Sequence, residues 1–199
     1  MTDILVQQAY SERTAEYTSA LGSINQMHAL DQYRIGSWAD QIGGSVLDAG
    51  CGPGHWTDFL HRRGVDISGI DLVAEFVDGA RRRFPEVTYQ VSSLRHIDAA
   101  DGSLKGVLAW YSLIHVPPAE LPTILSEFSR VLAPQGHLLI GFFEGASEEP
   151  FDHAITTAYY QSVEQMTSLL RNAGFEVNDV ETRQDSGSRP HAAISAIVQ

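Results

Sequence analysis

Apolar positions between residues 45 and 173 follow two alternating rhythms. Short continuous runs at 46–47, 65–70, 87–91, 107–110 and 137–143 read as buried strands. Between them, residues 56–63, 74–84 and 119–132 carry apolar side chains at the helical period. In the last of these, Leu121, Ile124, Leu125, Phe128, Val131 and Leu132 share one face. Such alternation predicts βαβ units around a largely parallel sheet. The punctuation agrees: Gly64 follows Arg62-Arg63, and Pro134-Gln135-Gly136 stops the third helix. Ser162 and Gln165 have capping-box spacing. They open a helix whose Val163, Met166, Leu169, Leu170 and Ala173 form a stripe, and which ends at Gly174.

Two further strands are expected at 175–181 and 192–198. Asp185-Ser186-Gly187-Ser188 joins them as a hairpin, which makes the last strand antiparallel to its neighbour. The pattern therefore gives an α/β fold with a doubly wound, mostly parallel, seven-stranded sheet. Residues 1–44 read as amphipathic helices forming a cap or lid in front of it, and 45–199 as the one domain.

Composition narrows the function. The 199 residues suffice for a single core without staples, and the lone cysteine, Cys51, cannot form an internal bridge. Acidic side chains outnumber basic ones 25 to 13, so a nucleic-acid backbone is not the expected partner. The N-terminal stretch lacks a basic region followed by a long apolar one, and no apolar run approaches the ~18 residues of a membrane span. The expectation is a soluble cytoplasmic protein acting on a small molecule or on another protein.

Chemistry concentrates at Asp48-Ala49-Gly50-Cys51-Gly52-Pro53-Gly54, where a strand runs into a glycine-rich turn and then a helix. Glycines at alternate positions let the backbone bend tightly and approach a ligand. Asp71 follows at the end of the next strand, where an acid accepts hydrogen bonds from the ribose hydroxyls of an adenosine. A dinucleotide-dependent oxidoreductase is the first alternative, but its G-x-G-x-x-G spacing needs glycine where His55 stands. Pro53 also removes an N–H from the loop, and Asp48 suits an amino group or sulfonium better than two phosphates.

These residues resemble the class I S-adenosylmethionine-dependent methyltransferases. Residues 46–54 are similar to their first motif, and Gly69-Ile70-Asp71-Leu72 with Phe76 and Ala80-Arg81 to their second. Asp101-Gly102-Ser103-Leu104 resembles the approach to their fourth strand. Residues 132–140 resemble their L-x-P-G-G-x-L-x-I segment, with Gln135 in place of the first glycine. The likeness runs from about Ser45 to the C-terminus and is close to the branch acting on small molecules. It implies S-adenosylmethionine as cofactor and S-adenosylhomocysteine as product, held in a Rossmann-like fold. It places Asp48 and the backbone of Gly50, Gly52 and Gly54 around the methionine amino group, with Ala49 and Cys51 also counted as cofactor-binding, Asp71 on the ribose and Leu72 on the adenine. Ser93 falls where the family usually has an aspartate facing the adenine amino group, and Leu94 where a backbone N–H meets the ring. A hydroxyl is a weaker acceptor than a carboxylate.

Methyl transfer from a sulfonium is an in-line displacement, so the protein chiefly aligns the reactants and excludes water. Ligands of open α/β sheets sit outside the carboxyl ends of the strands, which points to Trp110, Tyr111 and His115. Tyr111 and His115 are the catalytic candidates; His115 is expected first as a pocket or cofactor contact and second as a general base. Trp110-Tyr111-Ser112-Leu113 is unlike the Asn-Pro-Pro-Tyr sequence of the amine-methylating branches. Tyr10 and Tyr17, seven apart on one helical face, serve either to pack the cap or to touch the methionine carboxylate of the cofactor or the acceptor. Trp56 is a packing residue or flanks the methionine moiety, and Phe142, Phe143, Phe151, Tyr159 and Tyr160 offer an aromatic wall or core. No metal-ligand spacing is present. A protein that binds the cofactor without turnover is the remaining alternative.

Overall fold

The computed structural model describes residues 2–146 and 149–199. Its central sheet has the strand order β3-β2-β1-β4-β5-β9-β8. The strands are β1 (Val46–Ala49), β2 (Ile67–Asp71), β3 (Thr88–Val91), β4 (Leu104–Trp110), β5 (Leu132–Phe143), β8 (Phe175–Arg183) and β9 (His191–Val198). The first five run parallel, and β9 inserts antiparallel between β5 and β8. This is the expected doubly wound, seven-stranded sheet, with its C-terminal hairpin in the expected sense.

Helices cover both faces because the central strands are apolar on both. Val107 and Ala109 of β4 join Leu47 and Ala49 against α6 (Leu121–Val131) and α7 (Val163–Asn172), where Leu125, Phe128, Met166 and Leu170 are fully buried. Leu108 and Trp110 face the other way with Val46, towards α3 (Ala29–Ala39) and α4 (His55–Arg62). Helix α5 (Ala74–Arg83) covers the edge at β3 through Val77, Ala80 and Tyr89. The period of two along each strand thus splits one apolar run into two cores.

Several boundaries differ from the sequence expectation for local reasons. Helix α6 starts at Leu121 rather than 119, because Pro117 and Pro118 impose a single tighter turn first. Strand β5 starts at Leu132, which pairs with Leu104 before the Pro134-Gln135-Gly136 turn, and the ladder resumes at His137. Ser162 caps α7, its hydroxyl accepting from the Gln165 N–H at 3.1 Å. A small hairpin, β6 (Pro150–Asp152) with β7 (Thr157–Tyr159), was not anticipated.

The N-terminal segment is helical, as expected, but in pieces: α1 (Thr2–Glu12) and α2 (Thr14–Leu21) are broken at Arg13. Tyr10 and Tyr17 therefore sit on two helices instead of one, and their rings still meet edge-on at 5.4 Å. Helix α1 is tied down by Asp3 to Arg95 (2.7 Å) and by Gln7 to the Leu72 carbonyl (3.0 Å). Helix α3 behaves differently, burying Ile35, Trp38 and Ala39 in the sheet's own core. No helix among the described residues is long and apolar enough to cross a membrane.

Candidate active site

Strand order reverses between β1 and β4, so the connections leaving their carboxyl ends part to opposite faces and open a crevice. Gly50 leaves β1 with φ +87, and a Cβ there would stand 2.3 Å from the Cβ of Ser112. Gly52, at φ +50, has no atom within 4 Å of its would-be Cβ; the open space above it is the cavity. The loop's own donors are spent inside the protein. Gly50 and Cys51 donate to the Ile70 carbonyl (2.8 and 2.9 Å), Gly52 to Asp71 Oδ2 (2.8 Å) and Gly54 to the Cys51 carbonyl (3.0 Å).

Asp71 ends β2 facing the crevice. Its Oδ1 accepts from the Val73 N–H at 2.9 Å while Oδ2 holds Gly52, so the acid fixes the loop and keeps one lone pair per oxygen for a ligand. Burial raises its pKa, and the backbone N–H bonds oppose that rise.

The crevice closes into a cavity of ≈ 350 Å³, within the range of roughly 300–1,000 Å³ usual for small-molecule sites. Thirteen of the sixteen residues expected at a cofactor site line it. Asp71, Leu72, Ser93 and Leu94 do so from β2 and the loop after β3, and Gly50, Cys51 and Gly52 from the loop after β1. Trp56 comes from α4, Trp110, Tyr111 and His115 from the end of β4, and Tyr10 and Tyr17 from the cap. The other three do not reach it. Asp48 shares a strand face with Val46, points towards α4 and accepts from the Thr57 hydroxyl at 2.6 Å; burial pushes its carboxyl up to about 7. Ala49 is buried in the opposite core, and the Gly54 carbonyl accepts from the Tyr89 hydroxyl at 3.2 Å. Asp48, Ala49 and Gly54 thus lie behind the cavity wall, engaged in internal packing and hydrogen bonds.

His115 is 6% exposed and bonded at both ring nitrogens. Nδ1 lies 2.8 Å from the Thr157 carbonyl, which can only accept, so Nδ1 carries the proton. Nε2 is then the acceptor, and the Tyr10 hydroxyl donates to it at 2.9 Å. Burial lowers the His115 pKa, and the Thr157 carbonyl partly restores it. Tyr111 has φ +58, a conformation that costs a non-glycine residue about 1–3 kcal/mol and recurs at functional sites. Its hydroxyl meets Nδ1 of His191, and its ring packs on Phe143 at 4.9 Å.

Residues 46–136 match the family of methyltransferase domains. A ubiquinone biosynthesis O-methyltransferase of Xanthomonas oryzae pv. oryzae is 34% identical over 201 residues, covering 88% of this chain and 82% of that protein. The chain belongs to the class I S-adenosylmethionine-dependent methyltransferases. Solved structures agree in fold. The magnesium protoporphyrin IX methyltransferase of Synechocystis PCC 6803 superposes with a TM-score of 0.79 at 17% identity, over 100% of this chain and 98% of that one. The 1,6-didemethyltoxoflavin N1-methyltransferase of Burkholderia thailandensis gives 0.77 at 20%, over 96% and 88%.

The cavity of this methyltransferase fits an adenosine with a charged amino-acid tail. The open space over Gly52 is a cradle that a Cβ would fill, and Asp71 stands beside it with acceptor capacity. The dinucleotide alternative fails on the same loop, which has no N–H to spare for a pyrophosphate. Ser93 accepts from the Arg95 N–H at 3.2 Å, so its hydroxyl is already partly used within the cavity wall.

Sequence reasoning missed several wall residues of the methyltransferase. His153 stands with its ring 5.1 Å from His115, and burial with nearby His115 pushes it to about 4. Asp31 reaches the wall from α3, held by Arg183 at 2.8 Å. Phe76, read in the sequence as part of the second motif but not as a site residue, packs against Tyr10 and Tyr17 at 5.8 and 5.4 Å. Of the proposed aromatic wall, Phe143 lines the cavity, Phe142 is core, and Phe151 pairs with Tyr160 at 4.4 Å. Among the described residues no cluster of His, Cys, Asp or Glu could hold a metal ion.

Proposed function

We propose that this methyltransferase acts on a small molecule and transfers the methyl group to a hydroxyl oxygen, with His115 receiving the proton. The observation that carries this reading is the fixed tautomer of His115: a buried, neutral imidazole whose basic nitrogen is held at the cavity by Tyr10. The cofactor supplies a methyl group made electrophilic by its sulfonium. Asp71, Leu72 and the Gly50–Gly52 backbone bind and orient it. Trp56, Trp110, Tyr111 and Phe143 surround the acceptor with rings and exclude water. An acceptor hydroxyl that displaces the Tyr10 O–H from Nε2 finds a base already in the right protonation state, as general-base catalysis requires. The relative named as a ubiquinone biosynthesis O-methyltransferase supports the substrate class.

The test is a metabolite extract incubated with protein and methyl-labelled cofactor, followed by identification of the labelled product. An O-methylated small molecule is expected. His115→Ala should then lose about 10²–10⁴ in kcat and still bind S-adenosylhomocysteine. Label on nitrogen or carbon, or full turnover by His115→Ala, refutes the reading.

A further inference from the structure

Asp31 is a charged group in the cavity wall that neither the glycine loop nor the His115 chemistry requires. It stands in the first turn of α3, is 9% exposed, and is held by Arg183 at the end of β8. Sheet order fixes where this places it. Asp71 ends β2, and Ser93 and Leu94 follow β3; Tyr111 follows β4, Phe143 ends β5, and Arg183 pairs in register with His191 of β9. Asp31 is therefore anchored on the β4–β5–β9–β8 side of the crevice, across from Asp71.

The two oxygens of Asp31 differ. Oδ1 accepts from the Arg183 guanidinium at 2.8 Å, whereas Oδ2 receives no hydrogen bond from any described residue, and 12% of the side chain stays accessible. Arg183 does not neutralise the carboxylate, because it is shared with Asp185 at 3.0 Å and Glu181 at 3.6 Å. Arg34 joins Glu181 and Asp179, so two guanidiniums face four carboxylates. A carboxylate oxygen withdrawn from water is unfavourable until a donor meets it.

The other polar side chains on this side are neutral or engaged. Tyr111 bonds His191, His115 is held by Tyr10 and Thr157, and burial with nearby His115 pushes His153 to about 4. Among the described residues lining the cavity Arg95 is the one Lys or Arg, and Asp3 and Glu120 take up its guanidinium. An anionic acceptor thus meets no free cation, whereas a cationic one meets Asp31 and aromatic rings whose faces attract it.

We infer that Asp31 selects the acceptor, receiving on Oδ2 the protonated amine of the small molecule whose hydroxyl is methylated. The inference rests on the reading of this cavity as an O-methylation site.

Three probes that share a phenol and differ at the chain end test it: tyramine with an ammonium, tyrosol with a hydroxyl and 4-hydroxyphenylacetate with a carboxylate. They are titrated by calorimetry into protein saturated with S-adenosylhomocysteine. Tyramine should bind roughly 10-fold or more tighter than tyrosol, the scale of a hydrogen bond between charged groups, and 4-hydroxyphenylacetate weakest. Asp31→Asn keeps an acceptor for Arg183 and removes the charge. It should abolish the preference for tyramine and leave tyrosol within about twofold, whereas loss of a purely structural contact would weaken all three alike or none. Equal or reversed ranking in the wild type, no binding of any probe at millimolar concentration, or a preference that survives Asp31→Asn overturns the inference. Should Asp31→Asn not fold, the labelled product from the metabolite extract decides: retention on a cation exchanger at neutral pH is expected, and passage through it overturns the inference. Tyramine preferred through Asp31 but methylated on nitrogen would refute O-methylation and leave the anchor standing. O-methylation of tyrosol and tyramine with equal KM would do the reverse. If the protein does not bind S-adenosylhomocysteine, both fall.

Discussion

The Tyr10 hydroxyl donates to Nε2 of His115 across 2.9 Å, joining the first helix of the chain to the loop after β4. The bond favours neutral imidazole, because a protonated ring has no lone pair to receive it. Removing it in Tyr10→Phe should raise the His115 pKa. The reaction as proposed needs the neutral form, so the acid limb of the kcat/KM profile should move to higher pH in the variant. A pH series on wild type and Tyr10→Phe with a common acceptor checks this. An unmoved limb means that another group controls it.

Gly50 and Gly52 look alike in sequence but do different work. Alanine at 50 meets Ser112 at 2.3 Å in a left-handed conformation, which should cost roughly 3 kcal/mol of stability. Alanine at 52 also carries the left-handed penalty but meets nothing, so it should cost only about 1 kcal/mol. Its methyl group instead occupies the space above the loop, and S-adenosylhomocysteine binding should be lost. Urea unfolding paired with calorimetry separates the two. Gly52→Ala with wild-type affinity would remove the cradle from the argument.

The contrast shows what a one-dimensional pattern can carry. Gly50, Gly52 and Asp71 were legible because they belong to a local strand–turn–helix and to the end of the next strand. The seven strands were legible because apolar runs and helical stripes alternate without interruption. Asp48 lies off the cavity wall for a reason also present in the pattern: it shares the face of Val46, which turns it towards α4 and Thr57. Asp31 and His153 were out of reach. Asp31 meets Arg183 across 152 positions of sequence, and His153 stands in a hairpin too short for any period to declare. The burial of both His55 ring nitrogens without a hydrogen bond is likewise a property of packing that spacing does not encode.

Buried titrating groups act on stability in opposite directions, and single variants separate them. His55 is pushed down to about 4, so below pH 6.5 the unfolded chain takes up a proton that the folded chain refuses, and stability falls until about pH 4. Asp48 is pushed up to about 7, so between pH 7 and its unfolded value near 3.8 the folded chain holds the extra proton and stability rises on acidification. Each group contributes a slope of up to about 1.4 kcal/mol per pH unit in its window. His55→Leu should therefore lose stability less steeply than wild type from pH 6 to 5, and Asp48→Asn more steeply. Urea midpoints at pH 7, 6 and 5 measure both; three parallel curves would contradict the burial argument.

Tyr111 and Gln135 are the two non-glycine residues with positive φ among the described residues, at +58 and +63. Tyr111 lines the cavity, and its strain accompanies the placing of an aromatic ring beside Phe143. Gln135 lies in the exposed Pro134-Gln135-Gly136 turn that interrupts the β5 ladder, where the resembling family carries glycine, and its side chain makes a long contact to the Val198 carbonyl at 3.4 Å. Glycine there relieves the left-handed penalty of about 1–2 kcal/mol and gives back part of it in unfolded-chain entropy. Gln135→Gly should thus stabilise the protein by about 0.5–1 kcal/mol, a rise of roughly 1–4 °C in Tm for a chain of this length, with S-adenosylhomocysteine affinity unchanged. Thermal unfolding with and without that ligand is the measurement. A lower Tm would mean that the side chain's contact at the end of β9 outweighs the strain of the turn.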